Sequence, residues 1–116
     1  MKKDPKPYLE DILQSIARIE EYLSEIEQNK ISFEANVEKQ DAVIRRIELI
    51  GEATKRLESG FKDQFPDIPW RKMAGMRDIL IHEYDQIDLD LIWKVVVDEL
   101  PILKRSIREA LAKAPS

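Results

Sequence analysis

Apolar residues recur at spacings of three and four along most of this chain, and that periodicity constrains the fold more than any other feature. Such spacings place side chains on one face of an α-helix. Three stripes of this kind are present: Leu9, Ile12, Ile16, Ile19, Leu23 and Ile26; then Val37, Val43, Ile44, Ile47, Ile50, Ala53 and Leu57; and finally Leu89, Trp93, Val96, Leu100, Leu103, Ile107 and Ala110. The pattern predicts an all-α fold, an antiparallel bundle of four main helices with short helical turns, the third main helix being short.

Composition and length narrow the class further. Three glycines supply too little turn material for an all-β fold, and 116 residues suffice for one hydrophobic core. We therefore expect a single domain over residues 1–116, with residues 113–116 as a frayed tail. The chain has no cysteine and no apolar run near the roughly 20 residues that a membrane span needs, so a cytoplasmic protein without a membrane segment is expected.

Breaks in the periodicity predict the helix ends. The first helix is expected to start between Pro5 and Tyr8 and to end near Asn29, with Ser32 capping the next helical start. Gly60 is expected to terminate the second long helix, because glycine commonly follows the last helical residue.

Three residues predict local features of the packing. Gly51 lies inside the second long helix, where it costs about 1 kcal/mol relative to alanine, so either a neighbouring backbone approaches it closely or the helix simply tolerates it. Trp70 is expected to open a short helical piece after an irregular segment. Pro101 is expected to kink a last helix that runs from about Leu89 to Ala112.

The charge balance bears on possible partners. The net charge is −4 and the isoelectric point is about 5.1, which disfavours a protein that coats nucleic acid non-specifically. Local basic pairs could still form a patch, although solvated helix faces are the commoner explanation. These pairs are Arg45-Arg46, Lys55-Arg56, Arg71-Lys72 and Lys104-Arg105.

The stretch Met76–Tyr84 holds the only histidine of the chain, His82, five residues after Arg77. On one continuous helix, Asp78 and His82 would be neighbours, and the carboxylate could hydrogen-bond the imidazole. Arg77 and His82 would instead point about 140° apart. A long arginine reach, an early helix end or a second copy of the motif would be needed to bring both onto one phosphate.

Two interpretations of these side chains stay open. In the structural one, Arg77 pairs with a nearby acid while His82 and Tyr84 cap the core. In the chemical one, they cleave RNA without a metal, which requires a base for the ribose 2′-OH, an acid for the leaving 5′-oxygen and a cation for the charged phosphorane. Histidine and arginine suit these tasks. A single histidine with scattered acids lacks the spacing of a zinc or magnesium site, so neither a metal site nor a cofactor is expected.

The spacing of Arg77, Asp78 and His82 resembles the R-x4-H motif of HEPN domains, in which a polar residue follows the arginine. Tyr84 extends it to R-x4-H-x-Y, which resembles the HepT-like subgroup, the toxins of HepT/MntA toxin–antitoxin pairs. Further matches over nearly the whole chain are Ile50-Gly51-Glu52-Ala53, Trp70, Asp88 and Trp93. The resemblance implies a helical bundle that dimerises with two motifs in a shared cleft. It also implies a metal-independent endoribonuclease, with Arg77 and His82 as the catalytic pair and Asp78 as polar helper.

The resemblance further implies a partner. A small MntA-like nucleotidyltransferase antitoxin would silence the toxin by transferring AMP to Tyr84, adding bulk and negative charge beside Arg77. An alternative function is binding without catalysis. The protein would then be a helical subunit of a nucleotidyltransferase, and this subunit would bind nucleotide or protein and cleave nothing. The acidic isoelectric point suits this alternative better.

Overall fold

The computed structural model describes residues 4–83 and 86–114. From the N-terminus the elements are α1 (Lys6–Ser24), α2 (Lys30–Glu34), α3 (Val37–Arg56), α4 (Ser59–Lys62), α5 (Trp70–Ala74), α6 (Met76–Leu80), β1 (Ile81–Glu83), β2 (Gln86–Ile87), α7 (Leu89–Lys94), a π-helical turn (Val95–Glu99) and α8 (Leu100–Lys113). The predicted all-α class is confirmed, and β1 and β2 add one short hairpin to it. Within these ranges, no helix is long and apolar enough to cross a membrane.

The core lies between the long helices. α1 packs against α3 and α8, and the short helices α5 and α6 also pack against α3. The apolar stripes face this core as predicted, apart from Val37, whose exposed fraction is 66%. Fully buried stripe residues are Leu9, Ile12, Ile16, Ile19, Val43, Ile47, Ile50, Ile107 and Ala110.

The first helix ends earlier than its periodicity predicted. α1 stops at Ser24, and Glu27 and Gln28 adopt left-handed backbone angles with φ of 56° and 53°. The Gln28 amide donates a 2.8 Å hydrogen bond to the Leu23 carbonyl, which closes the helix end. A left-handed residue cannot continue a right-handed helix, so the predicted end near Asn29 was wrong.

Asn29, and not Ser32, caps the following helix. The Asn29 side-chain oxygen accepts a 3.0 Å hydrogen bond from the Ser32 amide, so Ser32 is the third residue of α2. Asparagine is among the strongest N-caps, and it precedes the first helical residue where Ser32 does not.

Gln40 ties α2 to α3 from inside the core. Its side chain is 8% exposed, and its amide nitrogen donates to the Phe33 carbonyl at 2.9 Å and to the Glu34 carbonyl at 3.0 Å. These carbonyls lie at the end of α2, where helical partners are missing.

We predict that Gln40→Met lowers the free energy of unfolding by about 1 kcal/mol, the usual net value of a lost hydrogen bond, because methionine fills the space without donating. Urea unfolding followed by circular dichroism measures the change. Gln14→Met on the exposed side of α1 is the matched control and should change stability little. Equal effects of the two substitutions would contradict the role of the Gln40 amide.

The second long helix also ends before its predicted terminus. α3 stops at Arg56, and Leu57 takes an extended backbone that leaves its side chain 4% exposed. Gly60 therefore lies within α4 and does not terminate α3, which corrects the prediction. We attribute this helix end to the burial of Leu57, because its apolar contacts stabilise the extended backbone. The helical periodicity alone predicts a helix that continues past this residue.

Gly51 allows α5 to approach the backbone of α3, as predicted. A Cβ atom at Gly51 would lie 3.2 Å from the Ala74 carbonyl oxygen and 3.4 Å from that of Met73. Trp70 opens α5 as expected, and its indole nitrogen donates to the carbonyls of Lys62 and Phe65 at 3.0 Å each. The close approach at Gly51 holds α5 against α3, and the Trp70 hydrogen bonds hold α5 to α4 and the segment that follows it.

The last helical segment changes its hydrogen-bond pattern just before its proline. A π-helical turn covers Val95–Glu99, and Pro101 lies in the first turn of α8. A proline has no N–H for the carbonyl one turn earlier, and a π-turn accommodates that loss by shifting the hydrogen-bond register. The predicted disturbance at Pro101 thus takes the form of a π-turn within a continuous helical segment.

Candidate functional site

The motif does not lie on one helix. α6 ends at Leu80, and β1 then pairs antiparallel with β2, with Ile81 opposite Ile87 and Glu83 opposite Gln86. The amide of Asp88 donates to the Leu80 carbonyl at 3.2 Å and closes this hairpin onto the helix end. The prediction of a helix over 76–84 was therefore wrong, because pairing with β2 replaces the helical hydrogen bonds of β1.

This early helix end changes the predicted geometry. The backbone of His82 belongs to β1, so the helical adjacency of Asp78 and His82 and the angle of about 140° between Arg77 and His82 no longer apply. An early helix end was one of the conditions for bringing Arg77 and His82 onto one phosphate. The described part of His82 is its backbone, and Tyr84 lies outside the described residues.

Arg77 is exposed and paired with an acid from another helix. Its side chain is 60% exposed, and its Nε atom lies 3.4 Å from Oε1 of Glu48 on α3. Its Nη1 atom lies 4.0 Å from Oδ1 of Asp78, which is 80% exposed. The pairing of Arg77 with a nearby acid, expected in the structural interpretation, is confirmed. Such exposed pairs are worth about 0–1 kcal/mol, so a phosphate can displace them.

Glu48 also contacts a second arginine, and sequence reasoning did not single it out. Its Oε2 atom lies 3.6 Å from Nη1 of Arg45 one turn earlier on α3. Glu48 is therefore shared by Arg45 and Arg77. The spacing of three from Arg45 was a signal for the first contact. The contact with Arg77 joins residues far apart in sequence and had no signal.

A groove of about 670 Å³ is lined by residues of α1 and α3 and by Arg77. Its described lining carries four arginines against three acids, although the whole chain has a net charge of −4. The lining residues are Tyr8, Asp11, Gln14, Ser15, Arg45, Arg46, Glu48, Leu49, Glu52, Ala53, Arg56 and Arg77. Two basic pairs of the sequence thus contribute Arg45, Arg46 and Arg56 to one surface with the motif arginine. That arrangement can bind an anion, since guanidinium groups suit phosphate oxygens.

No group of three or more histidine, cysteine, aspartate or glutamate side chains in the part of the chain that the structure describes could hold a metal ion.

Comparison with known proteins adds the family. The family model described as Ribonuclease HepT-like matches residues 12–110. A Methanocaldococcus jannaschii protein named "Gamma-glutamylcyclotransferase and putative RNase" is 49% identical over 92% of this chain, which spans 47% of that relative's length. A second protein of that organism, named "Putative RNase", is 41% identical, with 91% of this chain and 95% of the relative covered.

A Thermococcus cleftensis protein named "Probable ribonuclease HepT" is 47% identical, with 90% of this chain and 93% of the relative covered. No solved structure matches the chain significantly. The match over residues 12–110 and the identities to these relatives agree with the all-α fold. The chain belongs to the HepT-like ribonuclease family, of the HEPN type.

Proposed function

We propose that the protein is a metal-independent endoribonuclease in which Arg77, Asp78 and His82 form the catalytic site. The single observation that carries this is the position of Arg77, which is exposed, lines an arginine-rich groove and lies 3.4 Å from Glu48. A guanidinium placed there can bind the scissile phosphate and stabilise the charge of the phosphorane. The family match and the names of the relatives support the ribonuclease class.

In the proposed reaction, His82 takes the proton of a ribose 2′-OH, and the 2′-oxygen attacks the adjacent phosphorus. The bond to the 5′-oxygen breaks, and that oxygen receives a proton from the protonated His82 of a second copy of the chain, while Asp78 acts as a polar helper beside Arg77. The products carry a 2′,3′-cyclic phosphate and a 5′-hydroxyl. No water, metal or oxidant enters this step, so its atoms and charges balance within the RNA and the side chains.

Two copies of the chain supply the site in this proposal, with both motifs facing one cleft. A homodimer would place an arginine and a histidine on each side of the phosphate. The exposure of Arg77 and Asp78 in a single chain, 60% and 80%, supports a surface that a second copy can approach.

The activity is proposed to be that of a toxin controlled by a nucleotidyltransferase antitoxin. Transfer of AMP to the Tyr84 hydroxyl from ATP, with release of pyrophosphate, would add a negative charge seven residues after Arg77. That charge would compete with RNA phosphate for the arginine and block cleavage. Intact mass measurement after incubation with the partner enzyme tests this modification.

Purified protein in excess EDTA is expected to cleave single-stranded RNA and to leave 2′,3′-cyclic phosphate ends. The physical reason is that a 2′-oxygen nucleophile needs no metal-bound water. Product ends are identified by mass spectrometry. Cleavage that EDTA abolishes, or products with 3′-hydroxyl ends, would contradict the mechanism.

A second candidate function is a non-catalytic subunit of a nucleotidyltransferase, and the acidic isoelectric point of about 5.1 favours it. Intact RNA, together with a stoichiometric complex with the enzyme, would establish this candidate instead.

A further inference from the structure

The groove follows one face of α3 for much of its length. Arg45 and Arg56 are eleven residues apart, which places them about 16 Å apart along the helix axis and on nearly the same side. Phosphates of one stacked nucleic-acid strand recur about every 3.4 Å, so this length spans more than one phosphate. Arg46 lines the same groove beside Arg45.

The arginines of this face differ in how they are neutralised. Arg45 and Arg77 share Glu48, at 3.6 and 3.4 Å. Arg46 and Arg56 have no ion-pair partner within 4.0 Å among the residues that the structure describes. Within the part of the chain that the structure describes, two guanidinium groups without an acidic partner therefore line the same groove as the motif arginine. Such positive charges attract a flexible polyanion. When they neutralise its phosphates, the counterions of the nucleic acid are released.

We propose that Arg46 and Arg56 bind backbone phosphates of the RNA strand next to the scissile phosphate, and that Glu48 is the counter-ion that RNA displaces from Arg45 and Arg77. This rests on the proposed ribonuclease function and extends its substrate site along α3. The α1 wall contributes Tyr8, whose ring offers a surface on which a base can stack. These contacts are to phosphates and base faces, so the subsite accepts a single strand and selects no particular sequence.

Binding can be measured apart from cleavage with a single-stranded RNA whose 2′-hydroxyls are all methylated, because this probe lacks the nucleophile. Fluorescence anisotropy at several salt concentrations gives the affinity and its salt dependence. The Arg46→Gln/Arg56→Gln protein is expected to bind more weakly and to lower the slope of log K against log salt by about 1.4, for two contacts at about 0.7 each.

The matched control is Arg105→Gln/Arg108→Gln on α8, which removes the same charge from exposed residues outside the groove. It should keep the wild-type slope. Equal slopes for the two variants would overturn the subsite, whether or not the wild-type protein cleaves unmodified RNA. A failed cleavage assay with a groove-dependent slope would instead overturn only the proposed reaction. The Arg46→Gln/Arg56→Gln protein could instead keep its RNA affinity and lose binding of a nucleotidyltransferase. That result would assign the groove to the partner protein and also overturn the subsite.

Glu48→Gln is expected to raise the RNA affinity and not to lower it. This direction is informative, because a misfolded variant would not gain affinity. Glutamine keeps the size of the side chain and removes the charge that neutralises Arg45 and Arg77. Tighter binding of the methylated RNA is expected. Affinity at or below the wild-type value would contradict the role of Glu48 as a competing counter-ion.

Discussion

RNA cleavage by the His82→Ala protein is expected to fall at least about 100-fold, the usual contribution of a positioned acid or base, while the fold survives. His82 is the only residue of the chain whose ordinary pKa lies near neutrality, so no neighbour can replace it. The measurement is the initial rate of cleavage in EDTA, with far-ultraviolet circular dichroism to establish that the helices are retained.

His82→Gln separates proton transfer from packing. Glutamine can hydrogen-bond but cannot titrate, so this variant should be as inactive as His82→Ala. The wild-type rate should also fall at low pH, where the base is protonated, and at high pH, where the acid has lost its proton, and that dependence should vanish in both variants. Unchanged cleavage by either variant, or loss of folding in both, would remove His82 from the proposed catalytic role.

Gly51→Val is expected to lower the free energy of unfolding by about 1–3 kcal/mol. The first side-chain carbon would lie 3.2 and 3.4 Å from two carbonyl oxygens of α5, and the two methyl groups of valine need more space still. These oxygens belong to the backbone, so the contact is relieved only if α5 moves away from α3. Urea denaturation gives the midpoint and the slope from which the change follows.

Gly60→Val is the matched control, because nothing lies within 4 Å of a Cβ atom at Gly60. Its expected change is within about 0.5 kcal/mol. Arg77 follows Ala74 by three residues, so a displaced α5 should also lower cleavage in Gly51→Val and leave Gly60→Val active. Equal stability of the two variants would contradict close backbone packing at Gly51.

Much of the helical fold could be predicted from local pattern. The stripe from Leu9 to Leu23 is buried against the core, and the carbonyls of Met73 and Ala74 explain the glycine inside α3. The periodicity could not predict that α1 ends at Ser24, because Ile26 continues the stripe while Glu27 and Gln28 leave the helical backbone. Helix ends depend on a few hydrogen bonds, whereas an apolar stripe reports only which side faces the core.

The candidate site was predictable as a set of residue types and not as a geometry. Arg77, Asp78, His82 and Tyr84 could be selected from their spacing and chemistry. The helix assumed for them was wrong, because the pairing of β1 with β2 takes its hydrogen bonds from a second strand. Their catalytic and modification roles stay predictions that the experiments above test.

The sequence by itself determined the helical class through its periodicity, and its motif determined the family through the resemblance to HEPN domains. Only the tertiary structure decided that Glu48 joins Arg45 to Arg77 and that Arg46 and Arg56 share a groove with the motif. The physical reason is that the sequence of a single helix already shows which of its faces is apolar and will be buried. Ion pairs and grooves arise between residues that the packed core alone brings together.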